Sequence, residues 1–565
     1  MGTVLSAAGT TAARADIFSA SGAFSYTSSY STCVGAMSQA LATAYAGAFT
    51  TPAPQIQMVA NQVTSTLMGA TPSTGPTTPV VVSGLPGISV GTLVACAGAP
   101  IASNLPVVNG VLADLPSTAA AVLQSIPGVS VTPDATVGFQ STTVSTGPHP
   151  PSAAFLQETG AAALTASGDN GQGVAVAVLD TGIDNLPDFS GRLIGGVDFA
   201  GDKNPYLDGY GHGTFVAGLI AGNGASSGGQ YTGEAPAANL FSVKVAGASG
   251  QTDVATIIKG IGWVVNHKKQ YNFGVLNLSL GYEPTTPSVS NALDQAVEAA
   301  WNAGIAVVTS AGNAGPFNGT ILSPGDDPLA ITVGALDDMA TTATADDEVN
   351  DFSSAGPTAV DGWVKPDLVT SGRSVVSVAA PNSTIWTNNP SARMGSANFV
   401  GSGTSFSAAI TSGAAALVLA ANPGLTPNQL KARLLGTAAP GPLGNPFVDG
   451  HGALNVQAAA ASTALNLGQS TYGLTAPAPG TTISLSPAGT ADSWNPAIWT
   501  GAAWNGAAWN GAAWNGAAWN GAAWNGAAWN GAAWNGGAWN GAAWNGAAWN
   551  GAAWNGAAWN GAVWN

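Results

Sequence analysis

The chain has 565 residues, with 12 basic against 28 acidic side chains, a formal net charge of −16 and only 7% charged residues. That length allows two or three domains with sizeable cores, and the acidic balance excludes the clustered Lys and Arg that nucleic acid or an anionic membrane surface demands. With 76 Gly, 35 Pro and so few charges, the surface must be built from Ser, Thr, Asn, Gln and backbone, a composition suited to an extracellular protein.

Residues 1–150 carry one basic residue, Arg14, and three acidic ones, Asp16, Asp114 and Asp134. Runs such as TPSTGPTTPVVVSGLPG interrupt helices and favour loops or short strands, and SQALATAYAGAF reads as helical. The segment is expected to be a low-complexity leader or pro-region, or a small accessory domain. Its first 19 residues lack the basic n-region and the apolar core of a signal peptide.

Residues 151–465 hold 11 of the 12 basic and 24 of the 28 acidic residues. Short apolar runs alternate with amphipathic stretches, the pattern of an α/β fold with a mainly parallel sheet covered on both faces. Buried strands are predicted to end at Asp180 (VAVAVLD), Val245 (NLFSVKV), Leu280 (GVLNLSL) and Gly312 (GIAVVTSAG). Helices are predicted over 253–267, 290–303 and 405–421. No window reaches the roughly 18 uninterrupted apolar residues that span a bilayer.

Residues 466–493 read as a linker. From Trp494 to Trp564 a tryptophan recurs every fifth residue, and from Trp504 the unit is W-N-G-A-A with two lapses. A period of five does not fit a helix, and Asn-Gly favours a turn, so a solenoid of short strands is one reading. A low-complexity, sticky tail is the other.

Cys33 and Cys96 are the only cysteines, which excludes zinc-thiolate and iron–sulfur sites. They form either one disulfide or two buried free thiols. The histidines are His149, His212, His267 and His451, with no H-E-x-x-H and no pair at helical spacing, so a zinc hydrolase is not indicated.

Three motifs in the middle segment bear on chemistry. Asp180 closes an apolar strand in VAVAVLDTGID, where a carboxylate needs a polar partner. His212 lies between glycines in DGYGHGTFVAG, and Ser405 opens an Ala-rich helix in GSGTSFSAAITSGAAAL, where helix amides and dipole favour negative charge. A serine hydroxyl becomes nucleophilic when a base takes its proton and a carboxylate orients that base. Singly, these residues read as a turn aspartate, a loop histidine and a helix cap; together they supply the three roles. The other three histidines lie outside any motif and read as structural or surface residues.

In that Asp, His, Ser order the motifs resemble the subtilisin-like serine proteases, over about residues 160–460. The resemblance implies a three-layer subtilisin-like fold and a catalytic set in which Asp180 orients, His212 is base and then acid, and Ser405 is nucleophile. TSAGNAG resembles the oxyanion segment and implies Asn313 as side-chain donor. NLSLG resembles the edge that binds substrate backbone, so Ser279, Leu280 and Gly281 with Ala311 and Gly312 are expected to wall a substrate pocket. Those small residues are expected to leave room for a large apolar side chain. GEAPAANLFSVKV, FSSAGPT and WVKPDLV resemble further family segments. The chain departs from the family at Phe215, where a second histidine is common, and at Ala409, where a proline is common, which implies altered packing with retained chemistry. Residues before 150 show no clear likeness to the usual inhibitory pro-domain.

No organic cofactor is implied. Calcium is frequent in the family, and Asp188 resembles one of its ligands. A capping role for Asp188, and for Asp326 and Asp327, accounts for them equally, since such a site needs 6–8 oxygens. The expected function is a secreted, monomeric serine endopeptidase acting on proteins or peptides, extracellular or at the cell surface. The alternative is an adhesion or wall-binding protein whose Trp repeat, binding a surface or polymer by stacking, is the working part. An esterase using the same three residues is a third reading.

Overall fold

The computed structural model describes residues 26–44, 60–65, 76–139 and 150–464, with four residues of the repeat, Gly546–Ala547 paired to Trp549–Asn550. The 466–493 linker and the rest of the Trp array lie outside the described residues.

The N-terminal portion forms its own unit. Helix α1 (Tyr26–Ala44) is followed by β1 (Thr77–Gly84), α2 (Val90–Cys96), β2 (Ile101–Leu105), β3 (Gly110–Pro116), α3 (Ser117–Gln124) and β4 (Val129–Pro133). The sheet is antiparallel in the order β2-β3-β1-β4. Val80, Val82, Val111, Ala113 and Leu115 bury one face against Leu93, Val94, Ala119 and Leu123 of the two short helices. A disulfide joins Cys33 to Cys96 (S–S 2.01 Å), tying α1 to α2. The segment read as a leader or accessory region thus holds a built βαββαβ unit.

The larger, C-terminal portion is a three-layer α/β structure. Its sheet contains β6 (Ala175–Asp180), β7 (Leu193–Asp198), β8 (Asn239–Lys244), β10 (Phe273–Leu278), β11 (Ala306–Ser310), β12 (Ile331–Asp337), β13 (Glu348–Val349) and β14 (Leu368–Ser371). The order is β13-β12-β11-β10-β6-β8-β7, with β14 also beside β12. Every pairing is parallel except the short β12–β13 contact. All six residues of β6 are buried, as expected of a strand covered on both faces.

Helices α4 (His212–Ala221), α5 (Val254–Tyr271), α6 (Ala292–Asn302), α7 (Thr404–Ala421) and α8 (Pro427–Gly436) cover the sheet. Local chemistry sets their ends. The Asp253 carboxylate caps α5 by accepting from the Thr256 N–H at 2.8 Å, and Asn272 ends it at φ 55°. Thr426 and Gln429 form a reciprocal capping box on α8, with Pro427 at its first turn. Helix α7 is long and apolar enough to span a bilayer, but Thr404–Val418 are all buried in the core of the domain. A second small sheet, β15 (Val375–Val378), β17 (Asn398–Gly401) and β16 (Arg393–Met394), precedes α7.

The N-terminal unit docks on the larger domain. The Ser83 hydroxyl donates to Gln295 Oε1 at 2.7 Å, and the Ala292 N–H donates to Thr132 Oγ1 at 2.9 Å. From β4 the chain continues as β5 (Thr136–Gly138), which pairs antiparallel with β9 (Gln251–Asp253). On its other side Gly138 makes an antiparallel bridge to Gly281. The β5 segment is therefore sandwiched between two chains of the larger domain, with Val137 fully buried.

Candidate active site

Parallel strands deliver their carboxyl ends to one edge of the sheet, the usual place for chemistry in such folds. Asp180 is the last residue of β6, His212 the first of α4, Asn313 lies just past β11, and Ser405 is the second residue of α7.

His212 Nδ1 lies 2.9 Å from both carboxylate oxygens of Asp180, and the Thr181 N–H donates to Asp180 Oδ1 at 2.7 Å. Both side chains are buried. Burial pushes the Asp180 carboxyl above its ordinary range, and the neighbouring imidazole and the Thr181 amide pull it back. This contact fixes the tautomer: Nδ1 carries the proton that faces the carboxylate, which leaves Nε2 as the basic nitrogen.

The glycines around His212 have a steric reason. A Cβ on Gly213 would collide with the Gly182 carbonyl and come within 3.1 Å of Asp180 Cβ, and Gly211 stands at φ 104° against Ser383. Asp208, four residues earlier, holds the turn: it accepts from the Thr181 hydroxyl and the Gly211 and Thr214 N–H groups, each at 2.7 Å. Sequence reasoning quoted its motif without assigning Asp208 a role. Phe215 packs against Phe406 at 4.5 Å between ring centroids, in the apolar layer beneath the histidine, and Ala409 is likewise buried.

Ser405 sits at the N-terminal end of an 18-residue helix, where helix amides favour a developing negative charge. Its hydroxyl donates to the Ser279 carbonyl at 3.3 Å. His212 Nε2 is buried and has no hydrogen-bond partner among the described residues. The Ser405 carbonyl accepts from Ser279 Oγ at 2.8 Å, Ser279 Oγ accepts from Asn277 Nδ2 at 2.9 Å, and Asn277 Oδ1 accepts from the Ser412 hydroxyl at 2.9 Å. This buried relay ties the first turn of α7 to β10. Asn277 and Ser412 carry no sequence signal of their own.

Asn313 is oriented by Thr404, whose N–H and hydroxyl both donate to Asn313 Oδ1 at 2.9 Å. The donating end of the amide is thereby turned away from Thr404. Of the expected pocket residues, Ser279 bonds through its hydroxyl to the Ser405 carbonyl, and Gly281 and Gly312 both lie against the side chain of Leu322, which sequence reasoning passed over. Leu280 and Ala311 are buried.

The cleft is occupied by the chain itself. Phe139, following β5, donates its N–H to the Gly250 carbonyl at 3.0 Å and places its ring 5.4 Å from that of His212.

The remaining candidates are structural. Both oxygens of buried Asp188 lie within hydrogen-bond reach of Ser226, and its carbonyl accepts from the Asn223 N–H. Asp327 Oδ1 caps the next turn through the Leu329 and Ala330 N–H groups. Among the described residues no group of three or more His, Cys, Asp or Glu is placed to hold a metal ion. His267 stacks on Trp263 at 3.9 Å, His451 is buried, and His149 lies outside the described residues.

The model of the subtilase family matches residues 171–465. Serine protease AprX of Bacillus subtilis is 44% identical over 297 residues, covering 51% of this chain and 66% of AprX. Subtilisin amylosacchariticus, from Bacillus subtilis subsp. amylosacchariticus, is 38% identical over 304 residues, 53% of this chain and 69% of that protein. Among solved structures, fervidolysin from Fervidobacterium pennivorans, a keratinolytic enzyme related to subtilisin, superposes with a TM-score of 0.55 at 23% identity, over 70% of this chain and 63% of its own. That likeness supports the α/β fold alone. The chain belongs to the subtilase family, and residues 171–465 form its subtilisin-like serine endopeptidase domain.

Proposed function

We propose that the protein is an exported endopeptidase that hydrolyses protein substrates through Asp180, His212, Ser405 and Asn313. The observation that carries this reading is the buried contact of His212 Nδ1 with both oxygens of Asp180, beside a serine at a helix start. In the first step the Ser405 hydroxyl leaves the Ser279 carbonyl and gives its proton to His212 Nε2 as Oγ bonds to the peptide carbonyl carbon. The resulting oxyanion accepts from Asn313 Nδ2 and the Ser405 N–H. Collapse breaks the C–N bond, and His212 returns the proton to the departing amine. Water then repeats the sequence on the acyl-enzyme, with Asp180 stabilising the imidazolium each time.

We further assign residues 77–139 to a pro-region that occupies the cleft. Its support is the pairing of β5 between β9 and Gly281, with Phe139 against His212. A substrate strand in that groove would compete with it for the same backbone groups. The Trp array at 494–565 is assigned to attachment at a surface or polymer, separate from hydrolysis.

The test is hydrolysis of casein and of matched peptide amide and ester substrates by the purified chain, beside a Ser405→Ala variant and a deletion of 494–565. Amide hydrolysis lost in the first variant and retained in the deletion is expected. Ester hydrolysis without amide hydrolysis would make the protein an esterase, and activity that disappears with the array would restore the repeat-centred reading.

A further inference from the structure

At the amino ends of β6, β10 and β11, the opposite end of the strands from Asp180, lies a hollow of about 380 Å³. Sites for small molecules occupy about 300–1,000 Å³. Val174, Leu419, Leu425 and Leu430 supply apolar wall, and glycines keep the space open: a Cβ built on Gly173 or Gly424 would meet nothing within 4 Å. Lys268, in the last turn of α5, is the only charged residue on that wall among the described residues. Its half-buried side chain arches over the approach to β11, where a Cβ on Gly304 would stand 3.3 Å from Nζ. Lys268 makes no side-chain hydrogen bond or ion pair among the described residues. An apolar wall with one unpaired cation suits the face of an aromatic ring, which attracts an ammonium group within about 6 Å. A carboxylate would instead give up its water for a single cation, at a desolvation cost that such a pair seldom repays.

The chain leaves the enzyme domain beside this hollow. At and beyond the helix Val456–Ala461, the Ala460 carbonyl accepts from Asn422 Nδ2 at 2.9 Å and the Ala464 carbonyl from Arg433 Nε at 3.2 Å. Asn422 stands between Ala420 and Pro423, and Arg433 one turn past Leu430, and these three neighbours all line the hollow. Residues 465–565 hold 15 tryptophans, one at every fifth position from Trp494. The stretch from Ala464 to Trp494 spans up to about 100 Å when extended, so the first indoles reach the hollow. We propose that the hollow is the dock for one indole of the chain's own Trp array, held by the apolar wall and by Lys268 over its ring face. Tethering and repetition present indoles to the site at a high effective concentration, so a contact that is weak by itself is populated. One unit thereby anchors the array to the enzyme domain and leaves the others for attachment. The dock does not depend on the peptidase reading, because the hollow and the cleft lie at opposite ends of the strands.

The test uses the full-length Ser405→Ala chain, to prevent self-digestion, beside the same chain lacking 494–565. Gln172 is exposed and lines the hollow. With Cys33 and Cys96 joined as a disulfide, a Gln172→Cys substitution carries the only free thiol, which is labelled with bimane, a fluorophore that indole quenches on contact. Emission of the full chain is expected to be lower than that of the deletion by about twofold or more, as a site filled more than half of the time requires. Lys268→Gln in the full chain is expected to restore part of that emission. Equal emission from the two chains overturns the proposal, as does quenching that Lys268→Gln leaves unchanged. Quenching that fades on dilution overturns it too, because the array of a second copy would then be the occupant. If Gln172→Cys does not fold, acetylation of the pair without that substitution decides. Lys268 is expected to react with acetic anhydride about twofold or more slowly when the array is present, with its exposed neighbour Lys269 as the internal reference. Equal rates at Lys268 in the two chains overturn the proposal.

Discussion

The ring of Phe139 lies 5.4 Å from the ring of His212, although 73 residues separate them in the chain, because β5 is hydrogen-bonded into the cleft. The polypeptide that precedes the enzyme domain thereby covers the base that the enzyme domain would use. The intact chain is expected to be inactive on casein until it is cut between Phe139 and Pro150. Intact mass, followed over the time course of activity, checks this: active material is expected to begin within that interval. Full activity in a chain still joined to residues 77–139 would contradict it.

Asn313 makes a second prediction. Its Oδ1 is held by two donors from Thr404, so Asn313→Ala removes an oriented donor with little disturbance of the backbone. A fall in kcat of about 10²- to 10³-fold is expected, the size seen for a single oxyanion donor in subtilisin, with KM little changed. Thr404→Val is expected to lower kcat in the same direction through loss of orientation. Steady-state kinetics on one anilide substrate measures both.

A buried ion cluster lies at the start of β14. Asp367 Oδ2 accepts from Lys365 Nζ and from the Thr332 N–H, each at 2.8 Å, and Oδ1 lies 3.1 Å from Lys431 Nζ. Burial alone would raise the Asp367 carboxyl, but the two ammonium groups hold it below its ordinary value, while Lys431 is pushed down to about 7 by burial. Removing one partner strands buried charge, so Asp367→Asn is expected to destabilise the domain by about 3–5 kcal/mol. Urea unfolding in a Ser405→Ala background, which prevents self-digestion, measures it.

Stability is expected to fall as pH rises. Burial pushes Glu234 up to about 8, with Thr159 holding it down in part, and raises Glu298 to about 8 and Glu158 to about 9. In each case the folded protein keeps a proton that the unfolded chain releases near the ordinary value of 4.5. The native state therefore binds more protons over this window, and stability present below about 4.5 is lost as pH climbs through about 8. Tm of the Ser405→Ala protein is expected to drop between pH 5 and pH 9, and Glu234→Gln to reduce that drop. A Tm that rises over the same interval would refute the assignment.

Much of the enzyme domain was legible in the sequence. VAVAVLD, NLFSVKV, GVLNLSL and GIAVVTSAG became β6, β8, β10 and β11 within one or two residues of their predicted ends, because continuous apolar runs in a parallel sheet leave few alternatives. Asp180 and His212 were readable because a charged strand end and a histidine between glycines each need a steric or electrostatic reason. The N-terminal sheet was not, since Val80–Val82 sit among Ser, Thr and Pro with almost no charges to mark an outer face. Leu322 was invisible for another reason. Its neighbours Gly281 and Gly312 are 41 and 10 residues away, and only the fold brings them together.

The most direct test of the whole account is reaction of the matured protein with a fluorophosphonate, followed by mass mapping beside the Ser405→Ala control. Label on Ser405 that is absent from the control is the predicted result, since only a hydroxyl activated by His212 and Asp180 attacks such a reagent at an appreciable rate. A folded, processed protein that takes up no label at Ser405 would contradict the assignment of Asp180, His212 and Ser405 as its catalytic machinery.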